Sequence, residues 1–453
     1  MENDKEFLAK EPLGKLLFRL ALPTVAAQLI NMLYNIVDRI YIGHMPGDGA
    51  LALTGVGVCL PLILIVSAFA ALVGAGGAPR ATIFMGRKEY DKAEKTLGNC
   101  FTMQIIISVC LTAVLLIWNE DLLLAFGASE NTIGYATSYM NIYAVGTIFV
   151  EITLGMNYFI TAQGFARTGM LSVVIGAVAN IILDPIFIFG FGMGVEGAAL
   201  ATVISQGLSA IWVLSFLFGK KTFLRIRKSA MKLDMKIIIP ALGLGAATFI
   251  MQASESVINI CYNSSLLKYG SDIAVGAMTI LSSVMQFAML PLQGLGQGAQ
   301  PILSYNFGAK NKGRVRNAFF LLLKVSLVYA GILWLLVMLF PSLFAHMFTS
   351  YSALVEFSSA ALRVYMAVSV LFGIQMACQM TFTSLGNAKS SMIVAILRKF
   401  ILLIPLMYIL PHIFTGNQTM AVFMAEPVAD FIAVVCTSVI FFFEFRKALR
   451  DIS

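Results

Sequence analysis

The sequence predicts an all-α integral membrane protein: twelve transmembrane helices in two homologous six-helix lobes, related by a pseudo-two-fold axis along the membrane normal. Three observations lead there: an apolar composition, a strict alternation of basic loops, and self-similarity at an offset of 222 residues. Of 453 residues, 59 % are hydrophobic and 12 % charged, whereas soluble domains run near ~25 % charged. At about 20 apolar residues per crossing plus short loops, the chain has room for about twelve crossings. The 37 glycines and 24 methionines suit closely packed membrane helices.

The apolar runs place spans at 16–43, 51–79, 96–118, 136–160, 168–190 and 195–218, then at 237–265, 273–300, 317–340, 355–384, 390–411 and 419–445. The N-terminal segment, the loops after spans 2, 4, 6, 8 and 10, and the C-terminal tail together carry 25 Lys and Arg, from Lys5 to Arg450. The alternate loops carry Lys268 alone. By the positive-inside rule both termini are expected on the cytoplasmic side and the span number is even. The net charge of +8 is topology-setting, since no basic stripe carries the interleaved aromatics of a nucleic-acid surface.

The repeat is read from matched segments. Val73-Gly74-Ala75-Gly76-Gly77-Ala78-Pro79 aligns with Leu295-Gly296-Gln297-Gly298-Ala299-Gln300-Pro301, and Gly86 with Gly308. Thr161, Gly164, Ala166 and Met170 align with Thr383, Gly386, Ala388 and Met392. Upstream, Gln28 and Asn35 align with Gln252 and Asn259 at an offset of 224. The expected division is an N-terminal lobe over 1–218, a cytoplasmic linker over 219–236 and a C-terminal lobe over 237–453. Odd spans pair with odd spans, so the repeats run parallel, as in two-lobed secondary transporters with a midplane cleft.

Other chemistries find little support. Six cysteines lie in or beside apolar runs without a CxxC, and His44, His346 and His412 stand singly, so neither a disulfide framework nor a metal centre is expected. The N-terminus lacks the short apolar region and cleavage site of a signal peptide. No HExxH, GxSxG or Walker A pattern points to an enzyme, and no cofactor is expected.

Ionisable groups inside spans are costly and point to function. Span 1 carries Gln28, Asn31, Asn35 and Asp38 on one helix face, with Tyr34 beside it. Span 7 carries Gln252, Glu255, Asn259 and Asn263 on the equivalent face. Span 5 carries Gly176, Asn180 and Asp184, followed by Pro185, which should weaken the helix ladder there. Further acids are Glu151 in span 4 and Glu426 and Asp430 in span 12, the last two within reach of Arg398 or Lys399. Arg363 is expected to snorkel. The scaffold is duplicated but the acids are not: Asp184 maps to Leu406, Glu151 to Gly373, Asp38 to Tyr262 and Glu255 to Asn31. Asp38, Asn35, Asn180 and Asp184 are therefore the candidate coupling-ion residues, for a cycling proton or for sodium held by the same oxygens. Asp184, Gln28, Asn31, Tyr34, Glu255, Gln252, Asn259, Met251 and Met285 are the candidate substrate residues, the methionines providing an adaptable apolar wall.

These residues resemble the multidrug and toxic compound extrusion (MATE) family, and within it the MepA-like branch of Gram-positive bacteria. The carrying segments are Leu22-Pro23 to Gln28, Asn35 to Gly43, Gly74 to Ala78, Asn180 to Gly190, Phe249 to Gln252 with Glu255-Ser256, Pro291 to Gly294, and Gln297 to Pro301 with Ser304-Tyr305-Asn306. The resemblance implies a central cavity between two lobes and export of lipophilic cations in exchange for H⁺ or Na⁺ across a bacterial cytoplasmic membrane. It implies cation coupling at Asp38 and substrate handling at Asp184. Glu255 resembles the seventh-helix carboxylate of the NorM branch. That branch also uses an Asp in helix 10, where this chain offers Gln375 and Gln379. The alternative within the superfamily is a lipid-linked oligosaccharide flippase, which would need basic groups for a pyrophosphate. A channel is disfavoured by the two-lobed repeat. The expected partners are small lipophilic cations and the bilayer, with a single chain sufficient.

Overall fold

The computed structural model describes residues 6–47, 49–270 and 272–452; Lys5 of the basic N-terminal segment lies outside them. Among the described residues every regular element is helical. A short helix α1 (Phe7–Lys10) precedes the first span, α2 (Leu13–Gly43). Then follow α3 (Gly49–Gly86), α4 (Tyr90–Ile117), a short α5 (Asn119–Ala125), α6 (Ile133–Ala162), α7 (Ala166–Pro185) and α8 (Gly194–Phe218). The second half begins with α9 (Met235–Tyr269), α10 (Asp272–Gly308), α11 (Lys312–Leu339) and a short α12 (Pro341–His346). It continues with α13 (Ser352–Tyr365), α14 (Phe372–Ser384), α15 (Ala388–Ile396), α16 (Ile404–Ile413) and α17 (Gln418–Asp451).

Among the described residues, eleven helical segments are long and apolar enough to cross a bilayer, and the bent pair α13 and α14, meeting at 48°, makes a twelfth if it is one span. Large apolar side chains such as Phe442 and Phe443 are exposed, as lipid contact requires. The predicted spans fall within these helices or within a residue of their ends, but α3 and α10 do not stop at 79 and 300. Both run on through Pro79 and Pro301 to Gly86 and Gly308, because a proline removes one helix bond that membrane packing can offset. At Pro185 the ladder loosens into a π-helical turn over Ile186–Gly190. A second π segment, Leu397–Leu403, interrupts the eleventh span. The two short helices after spans 3 and 9 were not expected; they too stand 222 residues apart, Asn119 against Pro341.

Each half repeats the same pairings. Helix α3 packs on α4 and α6, α6 on α8, and α2 on α7; correspondingly α10 packs on α11, α13 and α14, α13 and α14 on α17, and α9 on α15. Between the halves, α2 packs on α10, α9 on α3, and α3 on α10 at the centre. Glycine permits this junction. A Cβ at Gly76 would run into the Ala241 carbonyl of α9, and its repeat equivalent Gly298 would press one 2.5 Å from Ala21 Cα of α2. Gly86 lies on the Tyr305 carbonyl and Gly308 on that of Ile83, again one contact and its repeat.

The lobe contacts gather on the side of the termini. Thr24 Oγ1 donates to the Gly294 carbonyl at 2.6 Å, and Gln28 Nε2 to Gln297 Oε1 at 3.3 Å. Phe69 and Phe249 meet edge-on at 4.8 Å between centroids. Nearer the termini, α1 spans the joint. Its Phe7 ring occupies the space left by Gly164, Glu6 pairs with Lys88 at 3.1 Å, and the Leu8 carbonyl accepts from Asn306 and Arg314 of the second lobe. The linker is tied down by Gln163, whose Oε1 accepts from the backbone N–H groups of Phe223 and Leu224 and from Thr222 Oγ1.

Candidate functional site

Packing of α2 on α7 brings the span 1 and span 5 stripes together. The carboxyl groups of Asp38 and Asp184 face each other closely enough to interact directly. Asp184 is fully buried, and its Oδ1 accepts from Asn180 Nδ2 at 3.2 Å. Asn180 also reaches Thr202 Oγ1 of α8 at 3.4 Å. Asp38 Oδ1, Asp184 Oδ2 and Asn180 Oδ1 are all buried without a hydrogen-bond partner among the described residues. Arg39, next to Asp38 in sequence, is exposed and interacts with it only through charge. Below the pair, Asn31, Tyr34 and Asn180 line a small cavity with Thr202, Ser205 and Gln206, closed by Leu154, Val173 and Ala177. Its roughly 30 Å³ of water-accessible volume exceeds what one water needs.

Other predicted residues lie elsewhere. Gln28 sits at the lobe joint on Gln297, and Asn35 is exposed, with its Nδ2 on the Asn31 carbonyl at 2.7 Å. That bond turns its amide donor back onto its own helix. Glu255 projects from α9 with half its side chain exposed and accepts from Lys399 Nζ at 2.7 Å. Asn259 is exposed, and Gln252 and Met251 are half-buried on the same helix. Met285 packs against the apolar cluster of Leu292, Phe372 and Met376. These five belong to the other lobe, away from Asp38 and Asp184.

The span 12 acids are paired. Arg398 Nε lies 2.5 Å from Asp430 Oδ1 and its Nη2 3.4 Å from Glu426 Oε1. Tyr262 Oη donates to Glu426 Oε2 at 3.0 Å, and the guanidinium rests over the Phe372 ring. Arg363 is exposed and donates from Nε to the Met338 carbonyl at 3.1 Å, joining α13 to α11. The two lobes thus differ: Glu255, Glu426 and Asp430 of the second lobe each have a basic partner, whereas Asp38, Asp184 and Glu151 of the first lobe have no ion pair among the described residues.

Sequence reasoning missed the α8 side of the site. Its signal was present: Thr202, Ser205, Gln206 and Ser209 stand at i, i+3, i+4 and i+7, a polar helix face. Uncharged residues of that size draw no attention until α8 is seen packed on α7. Among the described residues, no cluster of three His, Cys, Asp or Glu offers a transition-metal site.

A model of the MatE family matches the chain twice, over residues 23–186 and 247–409. The chain belongs to the MatE family. The two matched segments begin 224 residues apart, in step with the repeat. Among relatives, the chain is 25 % identical over 412 residues to the multidrug export protein MepA of Staphylococcus aureus strain N315, covering 90 % of this chain and 89 % of that one. It is 24 % identical over 440 residues to MepA of Staphylococcus haemolyticus strain JCSC1435, covering 96 % and 95 %. In fold it is similar to a MATE crystal structure in the bent conformation, with a TM-score of 0.92, 23 % identity and 98 % of both chains covered. An outward-facing multidrug resistance MATE transporter of the MOP superfamily superposes with a TM-score of 0.91 at 23 % identity, covering 99 % and 98 %. MatE membership and the multiple spans make this a multi-pass membrane transport protein. The two MepA relatives are named as multidrug export proteins.

Proposed function

We propose that the protein is a secondary active multidrug exporter that moves lipophilic cations out of a bacterial cell in exchange for protons. The carrying observation is the facing pair Asp38 and Asp184, which has no ion pair among the described residues. Two carboxylates in a dry site tolerate one negative charge far better than two. The pair therefore holds one proton or one organic cation, but not both, and that competition is antiport. The same site has orphan oxygens from Asp38, Asp184 and Asn180, which supports sodium as a second reading of the coupling ion. The half-exposed Glu255, with Gln252, Met251 and Asn259 on the same helix, is assigned to the facing wall of the substrate path. The basic-loop pattern supports cytoplasmic termini, and one chain suffices because both lobes are in it.

The test is ethidium movement in proteoliposomes holding purified protein, with proton and sodium gradients imposed separately. Uptake driven by the proton gradient alone is expected. Dependence on sodium would move the coupling to the Asp/Asn cage. No movement under either gradient, in protein shown to be folded, would refute the exporter reading.

A further inference from the structure

Glu151 takes no part in the site above. It is fully buried on α6, and neither carboxyl oxygen has a hydrogen-bond partner among the described residues. It ends a stripe. Tyr139, Tyr143, Thr147 and Glu151 follow at steps of four on one face of α6, all buried, with the Tyr139 and Tyr143 rings stacked at 6.3 Å. The next position is Gly155, where the amide of Gln104 from α4 occupies the space of a side chain. Gln104 Nε2 donates to the Ala70 carbonyl at 3.1 Å and to the Glu151 carbonyl at 3.4 Å, leaving its Oε1 unpaired. Along α4, Ser108 and Thr112 continue the line, Thr112 bonding the Ala144 carbonyl at 2.9 Å. A polar seam thus runs between α4 and α6 inside the lobe.

The seam touches the coupling site at one end. The cavity below the Asp38–Asp184 pair, lined by Tyr34 and Asn180, also reaches Leu154 of α6, one helical turn from Glu151. The helices packed on α6 carry other charged groups: Arg80 on α3, Asp91, Lys92, Glu94 and Lys95 on α4, Glu120 and Asp121 on α5, Arg167 and Asp184 on α7, and Glu196 on α8. None of them pairs or hydrogen-bonds with the Glu151 carboxyl group.

The duplicated scaffold is an internal control. At the repeat equivalent of Glu151 stands Gly373, where the backbone of Ser326 closes against it with 2.8 Å left for a Cβ. Tyr143 and Thr147 map to Tyr365 and Ser369. The fold closes this position with glycine and no carboxylate, so the acid at 151 is not a requirement of the architecture. An ionised carboxylate without a partner is too costly to bury there.

We propose that Glu151 is a second proton site of the N-terminal lobe, taking up and releasing a proton during the transport cycle along the hydroxyl seam. The inference rests on the proton-coupled reading above. At rest the Glu151 carboxyl group carries a proton; it gives that proton up when an arriving cation displaces the one held by the Asp38–Asp184 pair, and it takes a proton back once that cation has left.

The test measures protons released when ethidium is added to the purified, lipid-reconstituted protein in weakly buffered solution. Infrared difference spectra recorded in parallel follow the carbonyl stretch of protonated carboxylic acids. Glu151→Gln and Asp38→Asn are expected each to remove a different carbonyl component and to cut the proton release by about half, with ethidium still binding to Glu151→Gln. If Glu151→Gln leaves both the spectrum and the release unchanged while Asp38→Asn abolishes them, Glu151 is static and the inference falls, but the proposed function stands. If the wild type releases no protons and sodium drives transport, the coupling reading fails and takes the inference with it. Gln is isosteric with the neutral acid. Unfolding of Glu151→Gln with Glu151→Asp still folded would show a structural anion and also overturn the inference.

Discussion

Arg398 is the most consequential single charge in the second lobe. It serves two carboxylates at once, Asp430 at 2.5 Å and Glu426 at 3.4 Å, and all three side chains are buried. Arg398→Met keeps much of the side-chain volume but leaves two acids without a base. Removing one partner of a buried ion pair costs about 3–5 kcal/mol. A unit of about 150–250 residues loses about 2–4 °C in Tm per kcal/mol, so the expected fall is roughly 6–20 °C. The assay is thermal unfolding in detergent read by a thiol-reactive dye, since Cys59, Cys100 and Cys378 are buried in the folded chain. The triple change Arg398→Met, Glu426→Gln, Asp430→Asn removes the unpaired charges and should recover most of the loss. A single change that shifts Tm by less than about 2 °C, below one kcal/mol on that scale, would refute the argument. It would mean that the acids need no neutralising partner.

The remaining predictions concern the coupling site, the joint and the N-terminal segment. Asp38→Asn and Asp184→Asn are each expected to abolish gradient-driven ethidium transport in proteoliposomes at unchanged reconstitution yield; full activity in both would remove the site assignment. Gly76→Val, which drives a side chain into the Ala241 backbone, should cost about 1–3 kcal/mol or more by overpacking. Gly243→Val, with nothing within 4 Å of its Cβ, should be nearly neutral in the same unfolding assay. Leu8→Asp or Arg314→Ala should loosen the clamp between the lobes, read as faster hydrogen exchange over residues 300–310. Glu6 adds a pH dependence. Its hydrogen bonds to Lys10 and Lys88 hold its carboxyl below the ordinary value of 4.5. A depressed carboxyl stabilises above its unfolded value and loses that contribution as pH falls through the folded one. The clamp contact should therefore be indifferent to pH between neutral and about 5, and weaken only in stronger acid.

Much was legible in the chain itself. Span positions follow from apolar length, expected orientation from where Lys and Arg fall, and the lobes from a repeat visible in glycine and proline. Asp38, Asn180 and Asp184 could be singled out because a charged or amide group in a span is rare enough to stand out one residue at a time. Tertiary structure decided what those groups face. Only the packing of α2 on α7 sets Asp38 against Asp184, and only the approach of α15 and its π segment to α9 and α17 gives Glu255, Glu426 and Asp430 their bases. The hydroxyl seam ending at Glu151 was also hidden, since Tyr, Thr and Ser at helical spacing read as ordinary span residues until two helices align them. Composition and periodicity are properties of one segment, and a bilayer reads them directly. Charge compensation is a property of side chains far apart in sequence, and it exists only once the helices have met.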